Sequence, residues 1–125
     1  MPKLLVALFV VVLLAALAVT GAGVASGESV HAAATGPKKV LVGDDFYKPR
    51  PVEIRKGRTV KWFWGEDGSG TDNAHTVTEA KGRFTSAEKS MGTYKHKFGK
   101  KGTFRIYCAV HPDTMRMKVI VKPPN

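Results

Sequence analysis

Cysteine is nearly missing from this 125-residue chain, and Cys108 is the only one. That excludes an internal disulfide and a structural zinc site built on several thiolates. No "LxxC" pattern precedes it, so it is not a lipid-attachment cysteine. Acidic side chains are also scarce: ten Asp and Glu face twenty Lys and Arg, a formal net charge of +10. The basic residues are scattered, as on a solvated outer face, and such a face attracts acidic partners or anionic surfaces. No nucleic-acid-binding motif accompanies them. There is no internal repeat and no sustained helical period after residue 36. Catalytic patterns are missing too. No triad or paired-carboxylate arrangement stands out, and Asp44–Asp45 and Glu66–Asp67 fall in predicted turns, where solvation accounts for them.

One long apolar run is present. Lys3 precedes "LLVALFVVVLLAALAV", Leu4 to Val19, and the small residues of "TGAGVASG" follow. A basic start, an apolar stretch and a small-residue exit predict a secretory signal. With "TGAGVA" added the run nearly spans a bilayer, so an uncleaved anchor is the alternative. The chain then divides into a signal peptide or N-terminal anchor (1–25), a small, polar, flexible linker (26–36) and one domain (37–125). Either reading places that domain outside the cytoplasm, periplasmic or secreted. In that setting a free exposed thiol is prone to oxidation, so Cys108 is predicted to be buried and inert, paired between chains, or bound, and a bound metal is the favoured reading.

After the linker the pattern is of strands and turns. Val52 and Ile54 alternate with Glu53 and Arg55. Val60, Trp62 and Trp64 share one face of "TVKWFWG". Phe104, Ile106 and Cys108 oppose Arg105 and Tyr107, and Met117, Val119 and Val121 oppose Arg116 and Lys118. Gly and Pro punctuate these runs. Period-two alternation of this kind predicts an all-β antiparallel sandwich or small barrel, with a short helical turn near Ser86–Gly92.

The rare side chains gather in "YCAVHPDTMRMKVIV". Cys108 points inward at a strand end, where a buried cysteine is ordinarily a small hydrophobe. His111, three residues on, turns back from a loop. Met115 lies where that loop rejoins the last strand. Met117 shares parity with Val119 and Val121, as a core residue would, and is the fallback for Met115. Upstream, His75 opens a β-branched run after a polar loop. His96 lies mid-strand beside Tyr94 and Phe98, a half-buried packing position. Two imidazoles, a thiolate and a weak thioether are the donor set of a trigonal copper site, and such a site accounts for the lone cysteine.

These segments resemble the plastocyanin/azurin family of cupredoxins, and most closely its short exported bacterial members. "FYKPRPVEIRKGRTVKWFW", "NAHTVT" and "GTFRIYCAVHP" followed by "MRMKV" carry the resemblance. It implies a Greek-key β-sandwich, a single copper ion held by His75, Cys108, His111 and Met115, and one-electron transfer without catalysis. Thr76 stands where many such proteins have Asn, and its hydroxyl or Asn73 is expected to brace the ligand loop. The expected protein is a monomer whose acidic redox partner is drawn in by the basic surface, with His111 in a small apolar patch as the electron exit. The alternative function is extracytoplasmic copper carriage or buffering by the same ligands, with His31 and Met91 as accessory donors. A third reading, without metal, is a basic sandwich binding an anionic polymer.

Overall fold

The computed structural model describes residues 36–125. The segment read as a signal or anchor (1–25) and nearly all of the linker, His31 included, lie outside the described residues. Eight strands follow in order: β1 (Lys38–Gly43), β2 (Phe46–Lys48), β3 (Val52–Arg55), β4 (Thr59–Trp64), β5 (Thr78–Glu79), β6 (Gly92–Lys97), β7 (Gly102–Tyr107) and β8 (Arg116–Lys122). They form two four-stranded sheets, ordered β2-β1-β4-β6 and β3-β8-β7-β5. Only β1–β2 and β7–β8 join as neighbours within one sheet; every other connection crosses between the sheets, as in a Greek-key sandwich.

Alternation decides which residues enter the core. Along β4 the burial pattern places Val60, Trp62 and Trp64 inward, all fully buried. Along β8 Met117, Val119 and Val121 do the same from the facing sheet. Tyr47, Val40, Val42, Phe98, Phe104 and Ile106 complete most of this single core. Each fully buried aliphatic or aromatic side chain contributes about 1.5–3 kcal/mol of transfer free energy. The described residues, 36–125, belong to one compact unit.

The expectation of an antiparallel sandwich needs correction, because each sheet is mixed. β1 pairs with β4 in parallel, and so does β3 with β8. Alternation reports which face is buried, not strand direction. The helical turn expected near Ser86–Gly92 is also not there. Those residues form no helix, and Lys89 bridges to His75. A 3-10 turn occurs instead at Glu66–Gly68.

Two ends of the sandwich differ in role. β1 and β4 run towards one end, where Asp44–Asp45, the loop before β5 and the loop between β7 and β8 meet. The other end carries the β3–β4 and β6–β7 turns. There Lys56 N–H donates to Lys122 O (2.8 Å), Gly57 N–H to Phe98 O (2.7 Å) and Phe98 N–H to Arg58 O (2.9 Å).

Candidate metal centre

Two loops, the one before β5 and the one between β7 and β8, deliver the predicted donors to one point. The Nδ1 atoms of His75 and His111 each lie 3.8 Å from Cys108 Sγ. One ligand atom from each of the three residues lies within 4.8 Å of the others. The imidazole rings sit 5.0 Å apart, centroid to centroid. His75 and Cys108 are fully buried, and the His111 side chain is 29% exposed. Among the described residues no further His, Cys, Asp or Glu joins this group.

The spacing suits a metal. Bonds of about 2.0 Å to nitrogen and about 2.3 Å to sulfur, set about 120° apart, place the donor atoms about 3.7 Å from one another. The observed 3.8 Å edges match that triangle. Met115 is fully buried at the end of the same loop, and its backbone closes the loop on both sides. Cys108 N–H donates to Met115 O (3.0 Å), His111 N–H to Cys108 O (3.2 Å) and Met115 N–H to His111 O (3.1 Å). Met117, the fallback, is otherwise engaged: its sulfur accepts the Trp62 indole N–H at 3.4 Å, inside the core. Met91 is exposed in a different loop. His96 stacks on Phe84 with centroids 3.8 Å apart.

The backbone beneath His75 is pinned at every polar atom. His75 exchanges two hydrogen bonds with Lys89 (2.9 and 3.1 Å), and its carbonyl accepts the Trp64 indole N–H at 3.2 Å. The next residue, Thr76, donates its N–H to Cys108 Sγ at 3.3 Å. Its carbonyl accepts the buried Tyr47 hydroxyl at 2.5 Å. Its own hydroxyl accepts Ala109 N–H at 2.8 Å, tying the histidine strand to the cysteine loop. This is the bracing expected of Thr76. Burial pushes the Tyr47 phenol up, and the neighbouring Cys108 sulfur adds to that, so Tyr47 stays a donor.

Asp44 is the residue that sequence reasoning missed. Its Oδ1 lies 3.0 Å from His75 Nε2, on the side of the ring away from the sulfur. The same carboxylate accepts the backbone N–H groups of Asp72 (3.0 Å) and Asn73 (2.9 Å) and the Asn73 side-chain amide (3.3 Å). Contact with His75 first, and then the Asn73 and Asp72 N–H groups, holds its carboxyl down to about 2. A histidine that donates one nitrogen to a carboxylate presents the other as a lone pair, which fixes the tautomer for metal binding. Asp44 sits in the two-residue turn between β1 and β2, a position that Gly43 makes possible. The Phe46 ring lies on the Gly43 Cα, and a Cβ there would meet it at 2.2 Å. Nothing local in "VGDDF" marks this role, because the partner histidine lies 31 residues away. Its neighbour Asp45 reaches His111 Nε2 at 3.6 Å.

No family model and no curated protein matches the chain at the sequence level. The likeness is structural. A reduced amicyanin variant superposes with a TM-score of 0.58 at 23% identity, over 71% of this chain and 85% of that one. A purple cupredoxin from Nitrosopumilus maritimus gives 0.56 at 22% identity, over 68% of this chain and 99% of the other. A copper-containing nitrite reductase from Thermus scotoductus gives 0.59 at 22% identity; the match spans 71% of this chain but only 23% of the reductase. The fold is therefore that of the cupredoxins. Within it, His75, Cys108 and His111 form a three-donor site capable of holding one metal ion.

Proposed function

We propose that the protein is an extracytoplasmic type 1 copper protein that carries single electrons. The observation that supports this most is the convergence of one buried sulfur and two imidazole nitrogens on 3.8 Å edges. A soft thiolate with two imidazoles and a thioether favours copper over zinc or the hard cations. Copper bound there would supply a one-electron couple, Cu(II)/Cu(I). The chain's own part is to hold His75, Cys108 and His111 nearly fixed, so that little reorganisation accompanies the change of charge, and to keep water from the sulfur. Met115 would supply the weak thioether donor. Thr76 N–H on the sulfur would tune the couple by withdrawing charge from the thiolate.

His111 is the way in and out for the electron, since it is the one donor with exposed surface. Ala109, Val110 and Pro112 around it are exposed and small or apolar. Beside this patch the outer face of the second sheet carries a groove of ≈ 950 Å³. Arg50, Arg105, Arg116 and Lys118 line it together with Tyr107 and Pro112, and no acid does. An acidic redox partner fits that surface. Its association with the reduced protein slows as salt rises, because exposed charges are screened.

Addition of Cu(II) to residues 32–125 tests the reading. An intense blue thiolate-to-copper band is expected, with Cys108→Ser colourless. A colourless copper complex of the native sequence would remove the type 1 assignment. Rapid loss of Cu(I) to a chelator, without fast electron self-exchange, would point to copper carriage by the same ligands.

A further inference from the structure

The end of the sandwich away from the metal centre is strongly cationic. Its turns contribute Lys56, Lys100 and Lys101, and its strand ends contribute Lys38 and Lys97, all exposed. The acids lie elsewhere. Asp44, Asp45, Glu66, Asp67, Asp72 and Asp113 all sit in loops at the metal end. Glu53, on the strand that leads into the cationic end, is already paired with Lys122 at 2.5 Å.

The cations continue onto the outer face of the first sheet. Register places Lys39 opposite Lys61 and Lys61 opposite Lys95, three lysines abreast on adjacent strands. Like charges directly opposite each other destabilise a sheet. The next row holds Leu41 opposite Phe63 and Lys48. The Phe63 ring takes the Lys39 and Lys61 ammonium groups at 5.4 and 5.0 Å. Phe46 is 40% exposed over Gly43 beyond that row. The result is a sheet face with lysines beside a half-buried apolar strip, which Glu66 and Asp67 border only at its metal end.

The chain also enters the fold at this end. Gly36 and Pro37 lead straight into β1, and β1 then runs to Gly43, beside Asp44 and His75. Six strand residues at about 3.3 Å each put the entry point about 20 Å from the metal centre.

We propose that this pole and the adjoining lysine face rest on the headgroup layer of an anionic lipid bilayer. Charge complementarity supports that occupant: cations with an apolar strip match phosphate headgroups over acyl chains, as in interfacial proteins. Docked in this way the domain turns His111 and the acid-bearing loops away from the lipid, where a redox partner can reach them. The proposal does not depend on which metal the centre holds.

The test uses residues 32–125, the compact unit, because the full chain would enter vesicles through its apolar run. Sedimentation with phosphatidylglycerol vesicles at low ionic strength is expected, and none with phosphatidylcholine vesicles. Changing Lys56, Lys97, Lys100 and Lys101 together to Gln weakens binding by on the order of 100-fold or more, about fivefold per lysine at the surface. The same number of changes in the groove, Arg50, Arg105, Arg116 and Lys118 to Gln, weakens it less than threefold in the proposed orientation. Matching thermal melts show that both variants are folded. Equal loss in the two variants would overturn the proposal by reducing the effect to net charge. So would failure of the native domain to bind the anionic vesicles. Retention of a soluble acidic protein by the pole, without vesicle binding, would reassign the surface to a protein partner and overturn it as well.

Discussion

His75 cannot turn. Trp64 and Lys89 hold its backbone, Thr76 is tied on to Cys108 and Ala109, and Asp44 holds the far nitrogen of its ring. Removing Asp44 frees the ring and the tautomer together. Asp44→Ala is expected to weaken copper binding by about 10–100-fold, the usual effect of losing a ligand's hydrogen-bond partner, in a competition titration against a Cu(I) chelator. The two methionines separate in a different way. If Met115 is the proposed thioether donor, Met115→Leu is expected to shift the potential upward, since the oxidised ion gains more from an extra donor than the reduced one; voltammetry reads it. Met117→Leu leaves the colour and potential in place but strands the Trp62 indole N–H, at a cost of about 1–3 kcal/mol in denaturant unfolding. His75, Cys108 and His111 were legible in the sequence because few residue types serve this chemistry, with Cys108 at a strand end, His111 three residues on in the following loop, and His75 opening a β-branched run. Asp44 was not legible, because its role exists only once a hairpin tip and a loop 31 residues on are folded together.

The elements around β5 show a second polar arrangement, away from the metal. Glu79 is buried to 1% exposure and accepts from Arg83 at 2.6 Å, and also from the backbone N–H groups of Lys81 and Arg83. The Arg83 guanidinium first, then those N–H groups, holds the Glu79 carboxyl down to about 2 against the opposing effect of burial. Arg83 in turn lies 4.3 Å over the Phe104 ring, so the loop is bound to the core edge. Glu79→Ala leaves these donors unpaired and is expected to cost about 1–3 kcal/mol. Because the folded carboxyl titrates below an unfolded glutamate, near 4.3, its stabilisation is complete above that value and is lost as pH falls towards 2. Native protein therefore loses stability more steeply over that window than Glu79→Ala does, in melts taken from pH 5 to pH 2. His96 acts in the same direction at higher pH. Burial against Phe84 lowers its affinity for a proton, so unfolded chains take up the proton first as pH falls below about 6.5. The long strands were legible from alternation, since β4 and β8 bury every second residue. β2 was not legible: three residues between a turn and two prolines carry no period. The parallel pairing was not legible either, because crossing between sheets leaves no mark on a single strand.

Across the described domain the acids gather at the metal end and lysines at the other, with a second basic cluster in the groove beside His111, though along the sequence the charges look scattered. Turns at one end bring lysines together that lie some forty residues apart, and the acids collect where the metal ligands are. Such sorting has a cost in the isolated domain. Lys95 lies directly across from Lys61, which lies across from Lys39, with no acid in the row. Opposed like charges on neighbouring strands cost about 0.2–1 kcal/mol relative to neutral pairs. Lys61 recovers part of this over the Phe63 ring, so substituting it would mix two effects. Lys95 has an exposed ammonium and no such ring contact, which makes it the cleaner probe. Lys95→Gln is expected to stabilise the domain by a few tenths of a kcal/mol in dilute buffer. The gain should vanish at 1 M salt, where the screening length falls to about 3 Å and the lysines no longer sense one another. Urea unfolding at the two ionic strengths measures both numbers. A gain that persisted in high salt would mean that packing or strand propensity, and not repulsion, limits this face.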